Sequence, residues 1–282
     1  MEREWSALGG GIEVLSGINS YSDLPHPTTI SDEGVYYIES GDLSPDYIMP
    51  SDWDGSQFTT WRSLFDGKNL AISDITVPDN TVAHYDASKL SLSDGDTVSV
   101  WPDEQGDNDL DTQTGSPTYV ESGINGNPAI AFDGDALEVT GLSVTQPNTT
   151  YVVFEYQSVS DGRLLSGVSE RQLTAWSGGN SWRTHAGNNL TASFDIDTQQ
   201  MTAVFDGANS IIREDGVETA VGDAGDNDLG GLSVGYGARG YYDYGEDRNY
   251  ADAYVSEIVL VNSGSVDLDF ENRLLEKWGI TA

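Results

Sequence analysis

Residues 117–139, PTYVESGINGNPAIAFDGDALEV, contain three short runs of β-branched and aromatic residues separated by turn residues. The runs are 118–121, 129–132 and 137–139, and Gly134 lies in an Asp-Gly pair between the last two. An Asp-Gly pair between two such runs favours a tight hairpin turn, because glycine adopts positive φ without strain. This segment therefore predicts consecutive antiparallel strands.

The same texture continues on both sides of this segment, from residue 76 to the C-terminus. Further runs predict strands at 83–86, 98–101, 151–156, 164–167, 172–175, 201–206, 210–214, 232–235 and 254–262. Many short strands with turn residues between them are typical of a two-sheet β-sandwich. A parallel α/β fold is excluded, because helical segments do not alternate with these runs. The prediction is an all-β fold.

One helix is predicted, at residues 266–278. Phe270, Leu274 and Trp278 recur every four positions, acidic residues occupy the first turn, and Gly279 follows as a stop signal. We expect the apolar stripe of this helix to pack on an edge of the sandwich.

Residues 1–75 have a different character, with a glycine-broken start and several prolines. They leave room for short strands at 34–39 and 58–64. A unit this small buries little apolar surface by itself. The sequence therefore predicts an N-terminal attachment or oligomerisation module at 1–75, a sandwich domain at 76–282, and a homo-oligomer.

The charge of the chain is extreme: 12 Lys and Arg face 47 Asp and Glu, for a formal net charge of -35. Asp outnumbers Glu by 31 to 16, and Lys occurs three times. This balance excludes nucleic acid as a partner, because phosphate would be repelled. Self-repulsion on this scale needs strong screening, so we expect a protein of a high-salt medium. The chain has no Cys, and no apolar stretch predicts membrane insertion or a secretory signal.

Seven segments between residues 80 and 282, in this order, resemble a known superfamily. They are AHYDASKLSLSDGDTVSVWPDEQGDND (83–109), PTYVESGINGNPAIAFDGDALEV (117–139), TYVVFEY (150–156), GRLLSG (162–167), REDGVE (213–218), SEIVLVN (256–262) and FENRLLEKWGIT (270–281). The resemblance is to concanavalin A-like, laminin-G-like lectin and glucanase domains, in the branch found in viral structural and bacterial surface proteins. It implies an antiparallel jelly-roll β-sandwich with a lectin-like ligand surface.

The N-terminal segments LPHPTTISDEGVYYIESG (24–41) and SDWDGSQFTTWRSL (51–64) are similar to small modules near the start of phage tail-fibre, head-fibre and appendage proteins. This similarity implies a virion surface protein, and the high-salt medium expected from the charge then makes the host a halophilic microbe, an archaeon. The protein would be a capsid turret, a spike or a tail-fibre component. Residues 1–75 would bind other capsid or tail proteins, and the sandwich would contact host glycans.

Catalysis has to be considered, because glucanases share the fold that the resemblance implies. Retaining glycosidases need two carboxyl groups about 5–5.5 Å apart. Glu214 and Asp215 are adjacent in a predicted turn, and Glu257 has no second acid two positions away on its strand. We therefore predict that the chain is not an enzyme. A glycan-processing enzyme of the same fold and a cellular surface adhesin are the alternatives.

Two aspartate-rich segments echo each other and offer clustered oxygen ligands that suit Ca²⁺. Their candidate ligands are Asp103, Asp107 and Asp109 in the first segment, and Asp223, Asp226 and Asp228 in the second. Neither segment matches an EF-hand loop. The alternative is that both are solvated turns, which arise by chance in a chain this rich in Asp.

A tyrosine cluster lies in a glycine-rich and aspartate-rich stretch. Its members are Tyr236, Tyr241, Tyr242, Tyr244 and Tyr250. Exposed aromatic rings beside carboxylates can stack on sugars and hydrogen-bond their hydroxyls. Tyrosine is also enriched at subunit interfaces. Glycan binding, a subunit interface and packing within the chain all remain open for this cluster.

Overall fold

The computed structural model describes residues 12–15, 35–38, 46–53, 58–63, 69–70, 76–158, 162–167, 172–177, 181–193, 195–236 and 250–280. The chain divides into two compact units, Met1–Thr76 and Val77–Ala282. No helix in the described part of the chain is long and apolar enough to cross a membrane.

The described residues of the N-terminal unit form one five-stranded sheet. Its strands are β1 (Ile12–Leu15), β2 (Val35–Ile38), β3 (Asp46–Trp53), β4 (Phe58–Ser63) and β5 (Asn69–Leu70). They follow one another across the sheet in chain order, with β1 and β2 parallel and the other pairs antiparallel.

Pro50 lies inside β3, a strand that the sequence does not predict. In the described register, β2 pairs with β3 at residues 46–48, whereas Pro50 is opposite Trp61 of β4. At Pro50, β3 still pairs with β4 on one side, whereas its pairing with β2 on the other side has already ended. A strand tolerates proline where one of its sides makes no ladder bond.

The described residues of the second unit form fifteen strands. They are β6 (Thr81–Asp86), β7 (Thr112–Thr114), β8 (Thr118–Val120), β9 (Ala129–Asp133), β10 (Ala136–Val144), β11 (Asn148–Tyr156), β12 (Arg163–Ser166), β13 (Leu173–Ser177), β14 (Ser181–His185), β15 (Asn189–Ser193), β16 (Gln200–Phe205), β17 (Ser210–Glu214), β18 (Val217–Gly222), β19 (Leu229–Val234) and β20 (Asp252–Val261).

These strands form two antiparallel sheets. The seven-stranded sheet has the order β15-β14-β13-β12-β19-β10-β7. The eight-stranded sheet has the order β18-β17-β16-β11-β20-β9-β8, and β6 also pairs with β20. The predicted antiparallel jelly-roll β-sandwich is therefore confirmed.

The core lies between the inner faces of the two sheets. Leu137, Leu165 and Val234 are cross-strand neighbours on the inner face of the seven-stranded sheet, and all are buried. Trp182 of β14 packs edge-on against Phe154 of β11, with ring centroids 5.5 Å apart. Because side chains alternate along a strand, the residues between these core positions lie on the outer faces of the sheets.

Helix α1 (Leu268–Lys277) confirms the predicted C-terminal helix. The side chain of Asp267 caps its first turn by accepting a hydrogen bond from the Phe270 amide at 3.0 Å, and Gly279 adopts φ +65° just beyond it. The predicted packing on a sandwich edge is wrong. The Phe270 ring packs 4.9 Å from the ring of Tyr151, so α1 lies on the outer face of the eight-stranded sheet.

The predicted strand boundaries hold within a few residues, with one clear exception. Residues 98–101 do not form a strand; Thr97 and Trp101 make isolated bridges to Thr118 and Leu110 instead. Seven observed strands have no predicted counterpart: β1, β3 and β5 of the N-terminal unit, and β7, β14, β15 and β18 of the sandwich. The last four are short and carry many polar or small residues, which weakens the pattern that marks a buried strand.

Candidate functional site

Glu257 of β20 and Asp86 of β6 are cross-strand neighbours on the outer face of the eight-stranded sheet. Both side chains are buried, each with 1% of its surface exposed. Their strand neighbours Ile258 and Tyr85 belong to the core, so the strand period itself turns the two acids outward, toward α1. The sheet therefore brings together two carboxylates from opposite ends of the sandwich sequence.

Helix α1 covers this pair and supplies its counter-charge. Lys277 Nζ lies 2.7 Å from Asp86 Oδ2 and 2.6 Å from Glu257 Oε2. The Trp278 indole Nε1 donates a hydrogen bond to Glu257 Oε2 at 2.5 Å, and His84 Nε2 lies 2.7 Å from Glu257 Oε1. We call these five residues the lysine–carboxylate cluster.

Burial and charge act against each other in this cluster. Burial alone would raise the pKa of Glu257, but the Lys277 ammonium and the hydrogen bond from His84 outweigh it and hold that pKa below its ordinary value. Burial would likewise lower the pKa of Lys277, but the carboxylates of Glu257 and Asp86 raise it. The resting form is an ion pair held out of water.

The second oxygen of Asp86 also has partners. Asp86 Oδ1 accepts a hydrogen bond from the Ser88 amide at 2.8 Å and another from Ser88 Oγ at 2.6 Å. These bonds cap the short 3₁₀ turn Ala87–Lys89 that follows β6. The Asp86 carboxyl group is therefore held in one orientation from both sides.

His84, Asp86 and Glu257 offer ligand atoms within 4.8 Å of one another, and the described residues contain no other group of three or more that does so. A divalent cation would suit such a set of donors. The Lys277 ammonium, however, already lies against both carboxylates and balances charge there. We therefore do not interpret this cluster as a metal centre.

The first predicted Ca²⁺ segment uses its acids to organise a turn. Asp103 is buried, and its Oδ1 accepts hydrogen bonds from the amides of His84 and Gln105 at 2.9 and 3.0 Å. Asp109 Oδ1 accepts from the Asp103 amide at 2.8 Å. Asp107 is exposed to solvent.

The second predicted segment directs its acids to separate partners. Asp223 Oδ2 accepts from Asn188 Nδ2 at 2.8 Å, Asp228 Oδ1 accepts from the Gln146 amide at 2.7 Å, and Asp226 is exposed. The structure thus accounts for several of these carboxylates as turn-forming acceptors. Ca²⁺ binding stays a prediction for both segments.

The first and last members of the tyrosine cluster lie among the described residues. Tyr236 and Tyr250 form an isolated bridge, and their rings lie 4.7 Å apart at an angle of 34°. Both side chains are half-buried. The other candidates, Tyr241, Tyr242 and Tyr244, lie outside the described residues.

A row of polar residues, which we call the polar row, crosses the outer face of the seven-stranded sheet beside this ring pair. Glu138, Ser233 and Ser166 are successive cross-strand neighbours on β10, β19 and β12. Ser166 Oγ donates to the Tyr236 carbonyl at 3.0 Å, which joins the row to the ring pair. The Ser233 side chain is 0% exposed, and its Oγ has no hydrogen-bond partner among the described residues.

Neither the polar row nor the lysine–carboxylate cluster is predicted from the sequence. The sequence does contain a signal for the row. Ser233 lies between Leu232 and Val234, and alternation along a strand places the serine on the face opposite these two apolar side chains. The cluster has no comparable local signal, because its members come from residues 84–86, 257 and 277–278.

Comparison with known proteins gives no family for this chain. No family model matches the sequence. No curated protein matches it either.

Solved structures with similar folds are β-sandwich domains of low sequence identity. Domain 4 of AbnA, a GH43 extracellular arabinanase from Geobacillus stearothermophilus in complex with arabinotriose, has a TM-score of 0.46 and 14% identity over 69% of this chain and 98% of that chain. Trypanosoma rangeli sialidase in complex with 2,3-difluorosialic acid has a TM-score of 0.40 and 14% identity over 71% of this chain and 33% of that one. The binding domain of botulinum neurotoxin serotype D/C has a TM-score of 0.49 and 11% identity, covering 71% and 52%.

The likeness of these structures to this chain concerns the β-sandwich fold alone. The comparisons contradict the prediction that the chain is not an enzyme, because most of the similar structures are glycoside hydrolases and sialidases. The chain spans less than half the length of the sialidases, and at these TM-scores the likeness assigns no reaction to it. Glu257 also has an acidic neighbour that its own strand does not reveal, because Asp86 lies opposite it on the neighbouring strand.

Proposed function

We propose that the protein binds host glycans through the outer face of the seven-stranded sheet, as a surface component of a halophilic virus. The ring pair of Tyr236 and Tyr250 beside the polar row carries the glycan-binding part of this proposal. Aromatic rings stack on the apolar faces of sugars, while hydroxyl and carboxylate groups bond to sugar hydroxyls. Glu138, half-buried on this face, supplies such a carboxylate, and the buried Ser166 hydroxyl supports the ring pair through its hydrogen bond to the Tyr236 carbonyl.

The net charge of -35 supports the salty habitat and bears on the ligand. In dilute buffer, a chain of this charge repels acidic polysaccharides over distances of about 10 Å or more, and in molar salt over about 3 Å. Neutral glycans are therefore bound under the widest range of conditions, and binding of acidic glycans requires high salt.

The virion part of the proposal is supported by the similarity of segments 24–41 and 51–64 to phage-fibre modules. Residues 1–75 would attach the chain to other capsid or tail proteins and form the homo-oligomer, and the sandwich would face the host. A capsid turret, a spike and a tail fibre all fit this arrangement.

A glycan array probed with the full chain in molar salt tests the binding surface. Replacing both Tyr236 and Tyr250 with Ala is expected to weaken binding at least about tenfold, which is about 1.4 kcal/mol. Tyr254→Ala is the matched control, since this half-buried tyrosine lies on the other sheet. Equal binding by the double variant and the control would contradict the site.

The same wells also report catalysis. Reducing ends released from a bound glycan would show that the protein processes its ligand as well as binding it. If neither binding nor release exceeds that of the heat-denatured chain, the glycan proposal is wrong.

Purified virus particles test the virion assignment. We expect the chain among the proteins of density-purified particles, and antibody label at the particle surface in electron micrographs. A chain lacking residues 1–75 is expected to be absent from particles. Label on the host cell envelope instead would favour a cellular adhesin.

A further inference from the structure

The lysine–carboxylate cluster places an amine against a carboxyl group inside the fold. Lys277 Nζ and Asp86 Oδ2 are 2.7 Å apart, and both side chains are buried. Holding two reacting groups in contact gives an effective concentration far above any attainable in solution. Exclusion of water also opposes the reverse reaction, hydrolysis, because hydrolysis of an amide consumes a water molecule.

Glu257 stands where a proton carrier is needed. Its Oε2 lies 2.6 Å from Lys277 Nζ, and its backbone pairs directly with that of Asp86. His84 and Trp278 hydrogen-bond to the Glu257 carboxylate and hold it in place. Carboxylate oxygens of Glu257 and Asp86 also lie within 4.8 Å of each other, so Glu257 can take protons from the amine and pass them to Asp86.

Ser88 can stabilise negative charge on the carbonyl oxygen of Asp86. Its amide and its hydroxyl both donate to Asp86 Oδ1, at 2.8 and 2.6 Å. Attack on the carboxyl carbon would place negative charge on this oxygen. Two preorganised donors at such a position lower the barrier of acyl transfer.

We propose that Lys277 and Asp86 join through an amide bond, with Glu257 as the catalytic proton carrier. Glu257 takes a proton from the Lys277 ammonium and passes it to Asp86 Oδ2, which leaves a neutral amine and a neutral acid. Nζ attacks Asp86 Cγ and loses its second proton to Glu257. That proton goes to Oδ2, which departs as water. The C–N bond replaces the C–O bond, Glu257 ends as a carboxylate, and no group is oxidised or reduced.

The amide bond would join the two ends of the sandwich domain. Asp86 ends the first strand of the sandwich and Lys277 ends its last helix, 191 residues apart. The chain has no cysteine, so a disulfide cannot provide such a link. An amide between the two ends would fix the C-terminal helix on its sheet at any salt concentration, unlike the ion pair it replaces.

The intact mass of the full chain decides the question. The protein is expressed, incubated in molar salt and unfolded, and its intact mass is measured by mass spectrometry. We expect the mass to fall short of the sequence mass by one water molecule, and protease digestion to give a branched peptide that joins Asp86 to Lys277. The full sequence mass after prolonged incubation would overturn the proposal.

Two variants separate this bond from other losses of water, such as cyclisation at an Asp-Gly pair. Lys277→Arg keeps the positive charge but removes the reacting amine, and Glu257→Gln keeps the shape of the proton carrier but removes its basicity. Both are expected to show the full sequence mass. A loss of water that persists in Lys277→Arg, or that maps to peptides without Lys277, would also overturn the proposal. Neither result depends on glycan binding.

Discussion

Arg213 of β17 and Glu271 of α1 form a salt bridge beneath the C-terminal helix. Arg213 Nε lies 3.0 and 2.9 Å from the two carboxylate oxygens of Glu271, and Nη2 lies 2.8 Å from Oε2. Thr202 Oγ1 donates to the same carboxylate at 2.6 Å, and the Glu271 side chain is 0% exposed. Together with Lys277, this residue makes the attachment of α1 to its sheet strongly polar.

Removing the charge of Glu271 is expected to destabilise the protein. Glu271→Ala leaves the Arg213 guanidinium partly buried without its partner, a change that costs about 3 kcal/mol or more. Urea unfolding in molar salt measures this loss. Glu104→Ala, at an exposed acid, is the control and should stay within about 0.5 kcal/mol of the wild type. Equal stabilities for the two variants would contradict the role assigned to Glu271.

The C-terminal helix also shows what local sequence signals can predict. The acidic first turn, the apolar spacing from Phe270 and the stop at Gly279 all lie within one short segment, so the predicted helix at 266–278 matches Leu268–Lys277 within two residues at each end. Strands β11 and β17 were found for the same reason, since each is a continuous run of β-formers bounded by turns.

The candidate sites could not be predicted in this way. Asp86 meets Glu257 because β6 pairs with β20, and Ser233 meets Glu138 because β19 pairs with β10. Periodicity within a strand shows which face a residue occupies, but it does not show which strand lies alongside. Glu257 therefore looked like an isolated acid.

Asp215, in the turn between β17 and β18, predicts a measurable pH effect. Burial raises its pKa, partly offset by hydrogen bonds from the amides of Gln200 and Gln199. The folded state therefore keeps a proton that the unfolded chain releases, so the free energy of unfolding falls as pH rises above the ordinary pKa of 3.8. Asp215→Asn keeps both hydrogen bonds and removes this fall.

The Asp215→Asn variant is expected to gain stability over the wild type between the ordinary pKa and neutral pH, and to match it below that range. Urea unfolding across this pH range measures the difference. Asp133→Asn serves as the control, since Asp133 is exposed and also precedes a turn glycine. A difference that is constant with pH would show that the charge of Asp215 is not responsible.

Variants of Asp103 and Asp107 distinguish a solvated turn from a Ca²⁺ site in the first aspartate segment. Asp103→Ala removes the acceptor for several hydrogen bonds and is expected to cost about 2 kcal/mol, whereas Asp107→Ala should change stability little. If the segment is a solvated turn, millimolar Ca²⁺ leaves the melting temperature unchanged at constant ionic strength. If it binds Ca²⁺, the ion raises the melting temperature of the wild type, and Asp107→Ala reduces that increase.

The net charge predicts that stability rises with salt through screening. The Debye length falls from about 10 Å at 0.1 M to about 3 Å at 1 M, so most of the screening is complete by molar salt. The melting temperature should therefore climb steeply below about 1 M KCl and then level off, because repulsion among 47 acids opposes the compact state more than the unfolded one.

Differential scanning calorimetry across a KCl series measures this curve. Sucrose at matched water activity favours compact states without screening charge and should not reproduce the steep rise. A melting temperature that is already at its maximum in dilute buffer would mean that the acidic surface needs no counterions, and the saline habitat inferred from it would lose its basis.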